Sequence, residues 1–285
     1  MGRYVLGLYE KSMPNALPIR EKLAAAKRNG YDFLELSIDE TDEKLARLEW
    51  SQTKRLQIVK DMAETGLPIR SICLSGHRKY PLGHPDPEVQ RRSLEITEKA
   101  IGLAEDLGIR IIQLAGYDVY YEKGSPQTRR AFGMNLEKSV DMAAKAGVIL
   151  AFETMETEFL NTVEKGMRWI TAINSPYLQM YPDLGNITNA LLNSPVRPAE
   201  DLRAGRGHIA AVHLKETIPH VFREVPYGTG HVDFKELCST AYQLGVRRFL
   251  AEFWYAGTDQ WEADLYHNCK FLRGFLDQAE NRAVE

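Results

Sequence analysis

Short apolar runs alternate with longer amphipathic stretches along the chain, and the exchange repeats from one end to the other. An extended segment near Val5–Leu8 precedes a helix from Leu17 to Asn29, closed by Gly30. Phe33–Ile38 alternates with acidic residues as a second strand, and Ser51 caps a helix that runs from Gln52 toward Thr65 and ends at Gly66. Ile69–Leu74 reads as strand three, Pro87–Leu107 as a long helix stopped by Gly108, and Arg110–Leu114 as strand four. Ser125-Pro126 opens the next helix, with proline at the favoured first turn, and Gly147 closes it. The second half continues with strands at Val148–Phe152, Leu178–Tyr181, His208–Leu214 and Arg248–Phe253. Helices follow them at Leu160–Asn174, Pro198–Ala204, Phe234–Leu244 and Trp261–Gln278.

Eight strand–helix pairs in 285 residues predict an α/β chain folded as one closed (β/α)8 TIM barrel over residues 1–285. The helix endings support it. In Asn29-Gly-Tyr31, Thr65-Gly-Leu67, Leu107-Gly-Ile109, Ala146-Gly-Val148 and Leu244-Gly-Val246, glycine makes the left-handed turn and an apolar residue re-enters the core. An open doubly wound sheet is the alternative. It wants a glycine-rich phosphate loop after an early strand, where this chain has Tyr9-Glu-Lys-Ser-Met-Pro.

Four of the predicted strands end in a group that can ligate a metal: Glu153, Asp183, His213 and Glu252, at gaps of 30, 30 and 39 residues. In a barrel these ends converge on the C-terminal face. Three carboxylates gathered there repel one another unless a cation sits between them. One imidazole with three carboxylates suits one divalent ion, Mn²⁺, Zn²⁺ or Co²⁺. The plainer reading is that each carboxylate caps a helix or pairs with an arginine. His208 begins the strand that His213 ends and is expected to point to the opposite face. His220, His231 and His267 lack a ligand context, which argues against a trinuclear zinc centre.

A net charge of −3 with no basic block argues against a nucleic-acid groove. No run of 18 apolar residues occurs and Met1-Gly-Arg-Tyr has no apolar signal segment, so no membrane partner is expected. Three widely spaced cysteines, Cys73, Cys238 and Cys269, suit a reducing cytoplasm.

One metal among carboxylates points to carbonyl chemistry. Polarising a C2 carbonyl acidifies the C3 proton, and Glu153 and Glu252 on opposite sides of that carbon can remove it and return it from the other face. For substrate binding the candidates are His77 and Arg78 in the loop after strand three, and Lys215 two residues past His213. Lys79 extends the same basic loop, which can equally be solvated. Gly228 and Gly230, in Pro226-Tyr-Gly-Thr-Gly230, can offer backbone N–H groups to an anion or simply form a turn. Tyr117, Tyr120, Tyr121, Phe253, Trp254 and Tyr255 lie beyond strands four and eight as walls of a sugar pocket or as packing.

At these residues the chain resembles the L-ribulose/L-xylulose 5-phosphate 3-epimerase family of pentose and L-ascorbate catabolism, also called hexulose-6-phosphate isomerase-like, within the xylose isomerase-like barrel superfamily. The likeness spans Leu8-Tyr-Glu-Lys11, Glu35-Leu-Ser-Ile-Asp-Glu-Thr-Asp-Glu43, Gln113-Leu-Ala-Gly-Tyr-Asp-Val-Tyr-Tyr121, Tyr181-Pro-Asp-Leu-Gly-Asn186 and Val212-His-Leu-Lys-Glu216. It implies a metal-dependent 3-epimerase of a phosphorylated L-ketopentose. The implied ligands are Glu153, Asp183, His213 and Glu252, with Glu153 and Glu252 as the acid/base pair. Free-ketose 3-epimerases carry histidine three residues after the aspartate ligand, where this chain has Asn186, a further substrate-binding candidate. Glu216 stands where the close family often has aspartate. A homodimer or homotetramer is the expected assembly. The competing expectations are a 3-epimerase of free ketoses, an aldose–ketose isomerase, an AP endonuclease-like enzyme, which charge and histidine count disfavour, and a sugar-binding barrel without turnover.

Overall fold

In a computed structural model, which describes residues 4–282, eight parallel strands form one sheet that curls onto itself. The strands are β1 (Val5–Tyr9), β2 (Phe33–Ile38), β3 (Ile69–Leu74), β4 (Ile111–Ala115), β5 (Ile149–Glu153), β6 (Leu178–Met180), β7 (Val212–Leu214) and β8 (Arg248–Ala251). Adjacent strands pair in sequence order from β1 to β6, and β1 also pairs with β8, which pairs with β7. The last seam, between β6 and β7, is held by isolated parallel bridges at Met180–Ile209 and Asp183–His213.

That seam explains one difference from the sequence reading. Residues 208–211 were expected as strand, yet regular pairing begins only at Val212. His208 and Ala210 still bond across to Met180, through Met180 N–H to His208 O (2.7 Å) and Ala210 N–H to Met180 O (2.9 Å). The strand is present as a path, with an irregular ladder.

The main helices are α1 (Ile19–Arg28), α2 (Asp42–Leu45), α3 (Gln52–Thr65), α4 (Pro87–Leu107) and α5 (Pro126–Ala146) in the first half. The second half adds α6 (Val163–Ile173), α7 (Leu184–Ala190), α8 (Pro198–Ala204), α9 (Phe234–Gln243) and α10 (Trp261–Arg282). Ser51 and Ser125 cap α3 and α5 as expected, the latter in a reciprocal capping box with Thr128. Gly66, Gly108 and Gly147 end three helices at φ of 66°, 72° and 65°. The short helices α2 and α7 were not anticipated. The α7 sequence Leu-Gly-Asn-Ile-Thr-Asn-Ala is poor in helix formers, and Asp183 starts it by accepting the Asn186 N–H.

Strand parity decides what faces the barrel axis. Side chains alternate along a strand, so one register of odd positions on β1–β7 and of even positions on β8 turns inward. Tyr9, Phe33, Cys73 and Leu250 form one buried interior cluster, and Ile111, Ala151, Tyr181 and Ala211 another. A methyl group at Gly7 would lie 2.3 Å from the Phe33 ring, so that glycine makes room for an interior aromatic. The much larger apolar cluster lies between the sheet and its helices. The same parity that puts Ala151 and Leu250 in the filled interior puts Glu153 and Glu252 one layer higher, at the C-terminal mouth.

Candidate metal centre at the barrel mouth

Glu153 ends β5, Asp183 follows β6 as the cap of α7, His213 lies in β7 and Glu252 follows β8. All four are buried, and one ligand atom from each falls within 4.8 Å of all the others. His213 Nδ1 is 2.9 Å from Glu252 Oε2 and 3.3 Å from Glu153 Oε1. Asp183 Oδ1 is engaged by the Asn186 N–H at 2.6 Å, whereas Asp183 Oδ2 is buried without a hydrogen bond. Glu252 Oε2 is buried too, its 2.9 Å contact with His213 Nδ1 lacking hydrogen-bond geometry. Buried carboxylate oxygens are ordinarily satisfied. Unpaired ones gathered round an imidazole nitrogen therefore fit a divalent cation as their missing partner, and the donor set of three oxygens and one nitrogen is one such ions accept.

The charges in the cluster lead to the same conclusion. Burial, helped by the Glu252 charge, pushes the Glu153 carboxyl above its ordinary range. Burial raises Asp183 far more, against the pull of Lys215. Burial also works against the charge on Glu252, but Lys215 and His213 outweigh it and hold that carboxyl low. Burial disfavours a charged His213, yet Glu252 and Glu35 raise it well above the usual imidazole value. Carboxylates this close call for neutralisation by protons, by Lys215 or by a cation.

Three interior residues that the sequence motifs named without a role orient the candidate ligands. Glu35, inside β2, accepts from His213 Nε2 at 3.1 Å, which turns Nδ1 toward the centre, and it accepts from Ser71 Oγ at 2.6 Å. Gln113 of β4 donates its Nε2 to Glu153 Oε2. The Tyr181 ring packs edgewise on the imidazole, 4.6 Å between centroids. Their signal was in the sequence: each has the inward parity of its strand.

The predicted substrate contacts divide. Lys215 is buried in the mouth, 3.3 Å from Asp183 Oδ1 and 3.9 Å from Glu252 Oε2. Asn186 donates to Thr154 O at 2.7 Å and leaves its own Oδ1 buried without a hydrogen bond, on the cavity wall. Arg78 also lines this cavity, its guanidinium 4.7 Å above the Tyr120 ring. Trp254 faces it as well, whereas Tyr121 is 70% exposed and bonds Glu40.

His77 does not reach the mouth. The 3-10 turn at Ser75–Arg78 sends its ring back onto α4, where Nε2 lies 3.3 Å from Ser93 O and 3.2 Å from Thr97 Oγ1. Burial there, against the Ser93 bond, brings its pKa down to about 4. Lys79 points outward to Asp42. The anion role expected of Gly228 is corrected too. The buried Glu216 carboxylate already accepts the N–H groups of Thr217, Gly228 and Val232, at 3.1, 3.0 and 3.2 Å. Gly230 is needed for close packing, since a methyl group there would lie 2.3 Å from Glu216 Oε1 and 2.1 Å from Thr217 O. The loop is closed by a carboxylate of its own chain.

The fold and its donor set together define a parallel (β/α)8 barrel with a candidate divalent-metal centre at its C-terminal mouth. Residues 23–275 match the xylose isomerase-like TIM barrel family. The L-ribulose-5-phosphate 3-epimerase UlaE of Shigella flexneri is 43% identical over 275 residues, covering 96% of this chain and 95% of that protein. Its counterpart in Salmonella paratyphi A is 47% identical over 250 residues, 87% of each chain. The chain belongs to the xylose isomerase-like TIM barrel family and, within it, to the L-ribulose-5-phosphate 3-epimerases. Among solved structures, a D-psicose 3-epimerase with D-tagatose from Clostridium cellulolyticum H10 superposes with a TM-score of 0.80 at 12% identity, over 95% of this chain and 99% of that one. An L-ribulose 3-epimerase does so with 0.75 at 22% identity, over 99% and 97%. These two likenesses are of fold.

Proposed function

We propose that this protein is a metal-dependent 3-epimerase that interconverts L-ribulose 5-phosphate and L-xylulose 5-phosphate. The observation that carries the reading is the convergence of Glu153 and Glu252 on one cation-suited centre, in a chain 43% identical across nearly its whole length to an L-ribulose-5-phosphate 3-epimerase. When bound, a divalent ion (Mn²⁺, Zn²⁺ or Co²⁺) supplies the Lewis acidity that lowers the cost of negative charge on the ketose carbonyl oxygen.

The chain's own residues do the rest. Glu153, held by Gln113 on β4, and Glu252, beyond β8, approach the mouth from separate strands. One takes the C3 proton and the other delivers a proton to the opposite face of the planar enediolate, which inverts C3 with no redox change. In this reading Lys215 holds a sugar oxygen and Asn186 Oδ1 accepts a sugar hydroxyl, supported by both residues lining the cavity and by that Oδ1 having no hydrogen bond. Met155, Phe222 and Trp254 wall the cavity and keep water from the carbanionic carbon. The three free cysteines are buried, which fits a reducing cytoplasm, and no helix among the described residues is long and apolar enough to cross a membrane.

Solvent-deuterium incorporation at C3 of L-ribulose 5-phosphate tests the two-base assignment. Glu153→Gln and Glu252→Gln should each abolish epimerisation while leaving a folded protein. Each should still exchange the C3 proton of the one epimer that faces its surviving glutamate. Full turnover in either variant, or no exchange with any ketose phosphate in the wild type, overturns the reading.

A further inference from the structure

We infer that Thr154 is a positioning residue whose hydroxyl sets the distance between the Glu153 and Asp183 carboxylates, an assignment that rests on the metal-dependent reading above. Thr154 is fully buried and directly follows Glu153 at the end of β5. Its Oγ1 accepts the Asp183 N–H at 3.0 Å and donates to Asp183 O at 3.3 Å. The donor hydrogen and an acceptor lone pair of the hydroxyl are both spent on the main chain of one candidate ligand.

The β5–β6 ladder gives the reason a side chain is needed there. Along a parallel pair the rungs recur with the two-residue period of the strand. Tyr181 N–H donates to Phe152 O at 2.6 Å, so the next rung in that direction would run from Asp183 N–H to Thr154 O. That carbonyl is taken by Asn186 Nδ2 at 2.7 Å, and the Asp183 N–H turns to the hydroxyl instead. Between Tyr181 and Asp183 lies Pro182, which has no N–H to give. On its other side Asp183 keeps a main-chain tie, because His213 N–H donates to Pro182 O at 2.9 Å beside the Asp183–His213 bridge. The backbone therefore fixes Asp183 against His213, and the Thr154 hydroxyl fixes it against Glu153.

Orientation is supplied separately. The Asn186 N–H holds Asp183 Oδ1 at 2.6 Å, and Oδ2 stays without a hydrogen bond. Asn186 thus binds Asp183 through its backbone and Thr154 through its amide, which closes a ring of three residues. Threonine suits the place because its branched Cβ restricts χ1 and keeps the hydroxyl aimed. Without that hydroxyl the buried Asp183 N–H loses its acceptor, and the chain must shift to find another. Ligand distances in a metal site hold to within about 0.2 Å, so such a shift is felt at the ion.

The probe is Co²⁺, titrated calorimetrically into the metal-stripped protein and followed by its visible absorption, which reports the geometry of its donors. Thr154→Val keeps the shape of the side chain and removes the hydroxyl. It should weaken Co²⁺ binding about 10- to 100-fold, the range for partners of metal ligands, and alter the absorption bands. Thr154→Ser should restore the bands and most of the affinity. Thr154→Ala, which cannot clash, should repeat the valine result and decides the matter if valine does not fold. Unchanged affinity and bands in the hydroxyl-free variants, even with a lower urea midpoint for the metal-stripped protein, would leave Thr154 a merely structural role and overturn the assignment while the metal reading stands. Failure of serine to restore the bands overturns it too. A wild-type protein that binds no Co²⁺ overturns the metal reading and the assignment with it.

Discussion

Replacing Glu35 by glutamine changes one charge and almost no volume, and it separates a residue that tunes the centre from one that merely fills the barrel. Glu35 is fully buried and bonds His213 Nε2 at 3.1 Å and Ser71 Oγ at 2.6 Å. Glutamine keeps an acceptor for the imidazole N–H, so the ring should hold its orientation. What is lost is the charge assistance, which makes such a bond worth about 1.5–3 kcal/mol rather than about 0.5–1.5. The difference, about 1–1.5 kcal/mol, is roughly a tenfold weaker hold on a divalent ion. Glu35→Leu also strands the buried Nε2–H, and its loss should approach the roughly 100-fold upper end for partners of metal-bound histidines.

Calorimetric titration of the metal-stripped protein with Mn²⁺ reads this directly, without reference to turnover. The pH dependence adds a sign. Glu35 also helps to hold a proton on ion-free His213, and a metal must displace that proton. Losing Glu35 therefore relieves proton competition at low pH while weakening the bound state at every pH. The affinity deficit should grow as pH rises and reach its full size where His213 is already neutral. Equal affinities for wild type and both variants at high pH would refute the account of Glu35.

His77 and Glu10 give two predictions outside the reacting centre. His77 is held neutral, its pKa down to about 4 against an ordinary 6.5, so the unfolded chain binds the extra proton between those values. Stability should therefore be complete above pH 6.5 and fall on acidification, by about 3 kcal/mol as pH 4 is approached. His77→Gln, followed by urea unfolding at pH 7 and 4.5, should show a correspondingly flatter profile, and an unaltered acid loss would exclude this histidine as its source. Glu10, wholly buried, binds Lys22 at 3.2 Å, Lys44 at 2.8 Å and Arg47 through both terminal nitrogens. Burial opposes its charge, but Arg47 and the two lysines hold its carboxyl far below the ordinary range. Glu10→Gln leaves three buried cations facing a neutral amide and should cost about 3–5 kcal/mol in urea unfolding. A change below about 1 kcal/mol would mean that water reaches the cluster.

What could be read from the sequence divides along a physical line between repeated and irregular backbone. A strand fixes side-chain direction by alternation, and a barrel fixes where strands end, so Glu153, Asp183, His213 and Glu252 were legible from spacing alone. The same alternation held Glu35 and Gln113, whose inward parity was available but went unused. Loops have no such period. After β3 the chain turns through a 3-10 helix, where a single residue's step separates the buried His77 from Arg78 at the mouth. After β7, the direction of the Gly228 amide depends on where the Glu216 carboxylate lies, and the turn at His220 depends on Asn189, 31 residues earlier. No local pattern encodes either contact. The candidate chemical centre therefore sits on positions set by the repeat, while the loops around it sit on positions set one contact at a time. In that arrangement a change of substrate requires altered loops and leaves the barrel, with its four candidate ligand positions, untouched.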